Sequence, residues 1–323
     1  MGNYFKNILF YFIVSFAFVL NGCGEDDKVL EEIENTTIDL SILRFDNEFA
    51  SAKADDIPKL RKAYPYLFPA PDSVWVAKLE DSLQKELRAE VKSEFLDFNK
   101  EASEIELLFK HIKYYFPKFT APRVITIAND PDFNNRVILA DSLLFIGLTN
   151  YLGPKHKYYE GLQNYIAADM NRDFLVSNVA SAFSNKIVPL PEDRTFLSRI
   201  VYYGKVLYLK DKLTPFQSDA QKITYSEEQL AWAKGSEEPI WRNFIENGHL
   251  YSTNLNLNNR FIDPAPFSKF GLELDNESPG RLGRYIGWQI VKSFMERNEI
   301  GLQQMLQLPA EEIFKKSNYK PNK

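Results

Sequence analysis

From Ile8 to Leu20 the chain is an unbroken apolar block of thirteen residues in which only Ser15 is polar; beyond it, apolar residues recur at helix or strand spacing. A short extended run, Thr37 to Leu43, precedes a helix predicted over Asp46 to Lys53. With Asp72 or Ser73 as cap, Val76, Leu79, Leu83, Leu87, Val91 and Phe95 follow three or four apart, which places them on one side of a single long helix. Ser103 and Glu106 read as a capping box for a third helix that buries Ile105, Leu108, Phe109, Ile112 and Phe116 before Pro117 ends it.

The period then changes. Arg123 to Ile127 is β-branched and leads into a turn marked by Asn129, Asp130 and Pro131. Arg136 to Ala140 and Leu143 to Leu148 follow at hairpin-like spacing, which predicts a small antiparallel or mixed sheet. Tyr151-Leu152-Gly153-Pro154 breaks that pattern, and the rest reads as helical: Asp173 to Ile187, then Asp193 to Asp211 beyond Pro189 and Pro191. Ser226 and Gln229 form a capping box ahead of Leu230 and Trp232, and a short helix runs from Pro239 to Asn247, where Gly248 stops it. Ser278-Pro279 opens the last long helix, with Leu282, Ile286, Ile290 and Phe294 inward. With no internal repeat and no low-complexity linker, residues 37–323 read as one helix-rich α+β domain around a small central sheet.

The opening block is too short for a permanent span, which needs about 20 apolar residues, and with Lys6 ahead of it residues 1–22 read as an export signal. It ends at Leu20-Asn21-Gly22-Cys23, where an aliphatic residue three before the cysteine and a glycine just before it fit a lipoprotein processing site. Cys23 is the sole cysteine of 323 residues, so no disulfide forms within one chain, and acylation would leave no thiol to oxidise. Cys23 is therefore the expected lipid-attachment residue, and several acyl chains there would give stable anchoring in the cell envelope. The acidic stretch 23–36 reads as a solvated tether, with a sorting signal as the alternative. Removing the signal moves the formal charge from −5 to −6, and 45% hydrophobic residues mark a folded globular chain. Mild acidity with scattered Lys and Arg argues against nucleic acid as a partner.

Candidate chemistry is sparse. His111, His156 and His249 are never four apart, so the two imidazoles one turn apart that a zinc-protease helix needs are absent. No Gly-x-Ser-x-Gly elbow exists, and Gly280 and Gly283 lack the strand before and the Lys-Ser or Lys-Thr after that a phosphate loop requires, so no nucleotide or cofactor is expected. Gly283 and Gly287 instead suggest close approach of a neighbouring element. Glu237-Glu238, or Asp263 with Glu273, are nominal acid–base pairs among 44 acidic residues. Trp232, Trp241 and Trp288, with Arg281 and Arg284 close to Trp288, are the candidate interaction surface; core packing is the alternative for the aromatic residues.

Several segments in order carry a family resemblance: Arg44-Phe45-Asp46, Tyr64-Pro65, Ile146-Gly147-Leu148, Tyr203-Gly204-Lys205, Ile240-Trp241, and above all Ser278-Pro279-Gly280-Arg281-Leu282-Gly283 with Ile286-Gly287-Trp288-Gln289. Together, behind the Cys23 site, they resemble the GldB family of gliding motility lipoproteins of the Bacteroidetes. That family is similar in turn to predicted zinc metallopeptidases of the zincin class. The resemblance implies a sheet followed by a helix, Leu175 through Lys186, at the place of the zinc motif; here it offers Ser177, Asn178, Ser181 and Asn185 and no histidine. Tyr203 before Gly204 stands where a third ligand, a glutamate, is expected. The implied protein is a zincin-like scaffold without its metal, a non-enzymatic part of the gliding and linked secretion machinery that works through other proteins. An atypical envelope hydrolase and a glycan-binding surface lipoprotein are the alternatives.

Overall fold

The computed structural model describes residues 24–322 apart from 192, 273 and 274, so the export signal and Cys23 lie outside the described residues. Four strands form one mixed sheet in the order β1-β2-β4-β3: β1 (Ile42–Leu43), β2 (Arg123–Ile127), β3 (Val137–Ala140) and β4 (Leu143–Gly147). β2 runs parallel to both β1 and β4, in register from Arg123 opposite Leu143 to Ile127 opposite Gly147, and β3 closes the edge antiparallel to β4. Because successive strand residues face opposite sides, β2 divides the interior: Val124 belongs to the large helical core, and Ile125 to a smaller one with Phe45, Phe49, Tyr64 and Phe68. The Arg44-Phe45-Asp46 motif ties these parts together. Asp46 is buried, takes a bidentate ion pair from Arg44 at 2.9 and 2.8 Å and a hydrogen bond from the Thr126 hydroxyl of β2, while Arg44 also donates to the Phe95 carbonyl.

The acidic segment read as a tether is helical: α1 spans Gly24–Glu34, Ile33 is buried, and Lys110 donates to the Glu34 carbonyl at 3.1 Å. After α2 (Phe45–Ser51) and α3 (Ile57–Ala63), the single long helix expected beyond Asp72 is two, α4 (Asp72–Glu80) and α5 (Ser82–Glu94). Asp81 leaves helical geometry at ψ 128° and its carboxylate accepts from the Gln84 amide, so it caps α5 and turns Leu83 out to solvent. The third helix, α6 (Asn99–Tyr115), starts four residues before Ser103, because Asp97 accepts from the Asn99 amide at 2.8 Å. Arg172 pins its start, pairing with the buried Glu101 at 2.6 Å and donating to the Glu94 and Asp97 carbonyls.

The helical half holds α7 (Asn164–Ala168), α8 (Leu175–Ile187), α9 (Phe196–Leu213), α10 (Asp219–Ile223), α11 (Glu227–Gly235), α12 (Glu237–Glu246), α13 (Asn256–Phe261), α14 (Leu282–Arg297), α15 (Leu302–Gln307) and α16 (Ala310–Ser317). The Ser226–Gln229 capping box opens α11 as expected, and a second one, Ser218 with Gln221, opens α10. Its axis is the crossing of α9 on α14, which the glycines make possible. A methyl group on Gly287 would lie 1.8 Å from the Ile200 carbonyl oxygen, one on Gly204 would lie 2.2 Å from the Gly287 oxygen, and one on Gly283 would lie 2.9 Å from the Phe261 oxygen. The two helices therefore touch backbone to backbone, closer than any side chain allows.

Candidate functional site

The position that the zincin resemblance singles out is the contact of α8 with α9. Ser177 and Ser181 stand four apart on α8, so both hydroxyls project to one side. Between them lies the ammonium of Lys210 from α9, which donates to Ser177 Oγ at 2.7 Å, to Ser181 Oγ at 2.9 Å and to the Lys222 carbonyl. Three donors meet three acceptors, so the group is saturated. Burial, helped by the Lys222 and Arg281 charges, pulls the Lys210 pKa down to about 7. The protein's own Lys210 nitrogen thus fills the place between the two hydroxyls. The serine and lysine set does not suit zinc, and Tyr203 provides no carboxylate: its ring receives the Arg284 guanidinium at 4.1 Å. Among the described residues, no group of three or more His, Cys, Asp or Glu could hold a metal.

Around this centre the charges pair with one another. Asp211 meets Lys222 at 3.1 Å, meets Lys292 at 3.8 Å and accepts from the Trp288 indole at 2.7 Å; Asp219 takes the same two lysines. Arg281, at the left-handed φ of 65°, meets Asp169 at 3.3 Å and donates to the Thr224 carbonyl. Arg284 donates to the Ile262 carbonyl, and burial lowers its pKa.

The expected interaction surface of Arg281, Arg284, Trp232, Trp241 and Trp288 is therefore not one face. Trp288 is fully buried and both arginines are turned inward, because their hydrogen bonds hold α14 to its neighbours rather than reaching solvent. Trp241 packs on Phe314 and Tyr319 and holds the C-terminal helix. Trp232 lines a cavity of about 290 Å³ between α11, α12 and residues of the loop that follows α13. The Glu237–Glu238 pair is split as well: Glu237 is buried and accepts from Tyr285, Tyr319 and Asn322, while Glu238 pairs with Arg242 on the surface. The histidines sit on separate elements. His111 is buried on α6 and burial lowers its pKa, as it does for His249, while His156 lies 3.7 Å from Glu90.

Lys210 went unnoticed in the sequence. Its signal is a lysine on a buried helix face, one residue after Leu209 and three before Leu213.

A family model described as gliding motility protein GldB matches residues 26–321, nearly the whole described chain. The chain belongs to the GldB family. No curated protein and no solved structure matches. In this GldB chain the densest resemblance segment, Ser278 to Gln289, is the stretch that carries the glycine crossing, the inward arginines and Trp288. The motif is thus first a packing device: Gly280, Gly283 and Gly287 admit the backbones of Ala265, Phe261 and Ile200, and the Gly280 carbonyl accepts from the buried Tyr225 hydroxyl.

Proposed function

We infer from membership of the GldB family that this protein has a role in gliding motility. We propose that it fills that role as a lipid-anchored, non-enzymatic component of the cell envelope that works through contacts with other proteins of the gliding and secretion machinery. The observation that supports the non-enzymatic part is that Ser177 and Lys210 are buried and both serine hydroxyls donate to backbone carbonyls, Ser177 to Gln221 and Ser181 to Ser177, so neither is free to attack a substrate. The anchor rests on Leu20-Asn21-Gly22-Cys23. No helix of the described residues is long and apolar enough to cross a membrane.

Two measurements test the reading. Elemental analysis of the purified mature protein should find zinc far below one ion per chain; stoichiometric zinc sinks the non-enzymatic assignment. In cells carrying Cys23→Ser, the protein should be exported yet released from the membrane fraction, and colony spreading should fail. Normal gliding by the exported, unlipidated protein overturns the anchoring assignment.

A further inference from the structure

A cavity of about 130 Å³ opens where two parallel strands end, between β1 passing into α2 and β2 passing into its turn. The carboxyl ends of parallel strands are where open sheets leave a crevice for ligands. One side of the cavity is apolar: the Phe45 and Phe49 rings of α2 lie 5.5 Å apart, Trp75 of α4 stands perpendicular to Phe49 at 6.1 Å, and Leu67 and Ile127 complete the wall. The other side carries Lys78 of α4 and Arg88 of α5, neither of which forms an ion pair among the described residues. Arg88 is 5% exposed and reaches back from the second turn of α5 to the last turn of α4. There it donates to the Lys78 and Leu79 carbonyls at 3.1 and 3.0 Å, with its guanidinium over the Phe49 ring at 5.4 Å. Those bonds use one hydrogen on each terminal nitrogen. The Nε–H has no acceptor among the described residues and, unlike the unpartnered nitrogens of Arg199, is not closed off from solvent, so the guanidinium keeps a donor within reach of a ligand.

The carboxylates nearby are engaged elsewhere. Asp46, in the lining, is saturated by Arg44 and Thr126; Asp130, exposed, accepts from the Gln84 side-chain amide at 2.7 Å. Asp81, whose charge Arg88 feels, caps α5 through the Gln84 backbone amide. The cavity is therefore short of negative charge beside an aromatic wall. A buried guanidinium held only by neutral carbonyls carries a desolvation cost that an anion lowers, and burial depresses the Arg88 pKa accordingly. We propose that this cavity binds a small apolar carboxylate, with its carboxylate on Arg88 and Lys78 and its branched or aromatic group against Phe45, Phe49 and Trp75. The volume admits about one ring or one branched side chain, so the ligand is a free acid or the last residue of a polypeptide. The site goes beyond the role proposed above and stands whether or not Cys23 carries lipid.

Isothermal titration of the purified mature protein with isocaproate tests the proposal against two comparisons, isocaproamide with the same shape and no charge, and acetate with the charge and no branched group. Saturable binding of isocaproate is expected, about tenfold or more tighter than either, the scale of losing a hydrogen bond to a charged group or the burial of a branched side chain. Lys78→Glu should weaken isocaproate about tenfold or more. Lys78 is exposed, so that variant keeps the fold, checked by an unchanged melting temperature. Arg88 also holds the end of α4, so its part is read in the unaltered protein: the Arg88 Nε–H resonance should shift along the same isotherm. An acetylated tripeptide ending in a free leucine separates the sources. Binding as tight as isocaproate supports a chain terminus in the cavity, and binding of isocaproate alone supports a free acid. No saturable heat, isocaproamide or acetate binding as tightly as isocaproate, Lys78→Glu without effect, or an Arg88 resonance that does not move each overturn the proposal.

Discussion

Gly287→Ala tests whether the α9–α14 crossing is the load it looks to be. The added carbon would start 1.8 Å from the Ile200 oxygen and 2.5 Å from its carbonyl carbon, both backbone atoms of a buried helix. Ordinary non-bonded separation is roughly 3.3 Å or more, so the helices must part by over about 1 Å along their shared length. No side chain can rotate away to absorb that. Overpacking costs about 1–3 kcal/mol when neighbours can adjust; with backbone opposed on both sides, we expect about 4 kcal/mol or more. That is a large share of the roughly 5–15 kcal/mol that holds a domain together. Thermal unfolding followed by far-ultraviolet circular dichroism should show a melting temperature lowered by about 10 °C or a chain that does not fold. Gly235→Ala is the internal control, because a methyl group there meets nothing within 4 Å on α11 and should be neutral or stabilising by up to about 1 kcal/mol. Adding Gly204→Ala to Gly287→Ala should cost less than the two singles combined, since one separation relieves both clashes. A Gly287→Ala protein that melts within about 2 °C of the parent refutes the backbone-contact account.

Three further outcomes follow from the geometry. With its folded pKa drawn down to about 7 against an ordinary 10.5, Lys210 is neutral in the folded chain and charged in the unfolded one between those values, so stability should climb as pH rises from about 7 to 9.5; one proton contributes a slope of about 1.4 kcal/mol per pH unit, and urea titrations at several pH values should find that slope reduced in Lys210→Met. Glu237→Ala, which strips the acceptor from Tyr285, Tyr319 and Asn322, should cost roughly 2–4 kcal/mol in urea unfolding, and a stability unchanged within error would show that the C-terminal tail is held by packing alone. Asp81→Ala should lose about 1 kcal/mol through the missing cap on α5; a gain in helical circular dichroism with a gain in stability would instead mean that α4 and α5 fuse.

The sequence made the broad plan readable because its strongest signals are local. The β-branched run at Arg123 to Ile127, the Ser226–Gln229 box and the stripe of Leu282, Ile286, Ile290 and Phe294 each act over a few residues, and each produced the expected element. Helix breaks were harder. Leu79, Leu83 and Leu87 keep their spacing straight through Asp81, and nothing in periodicity alone shows that the aspartate spends its carboxylate on Gln84. The short α15 and α16 passed unseen for lack of length. The site was the least legible part: that Lys210 of α9 enters between Ser177 and Ser181 of α8 depends on how two separate helices pack, and the periodicity of neither one shows it. Trp288 and Arg284 misled for the same reason, since aromatic and cationic residues that hold a buried helix use the same letters as those that meet a partner.

The helix α1 changes the reach of the proposed anchor. Fourteen residues of extended chain between a lipid on Cys23 and the body would let it wander to nearly 50 Å from the bilayer. Wound into eleven helical residues, most of that stretch covers only about 16 Å, and its far end is seated through Ile33 and Lys110. If Cys23 carries the proposed lipid, so short a leash would hold the body nearer the bilayer than an extended tether, and a partner would meet it over a narrower range of heights.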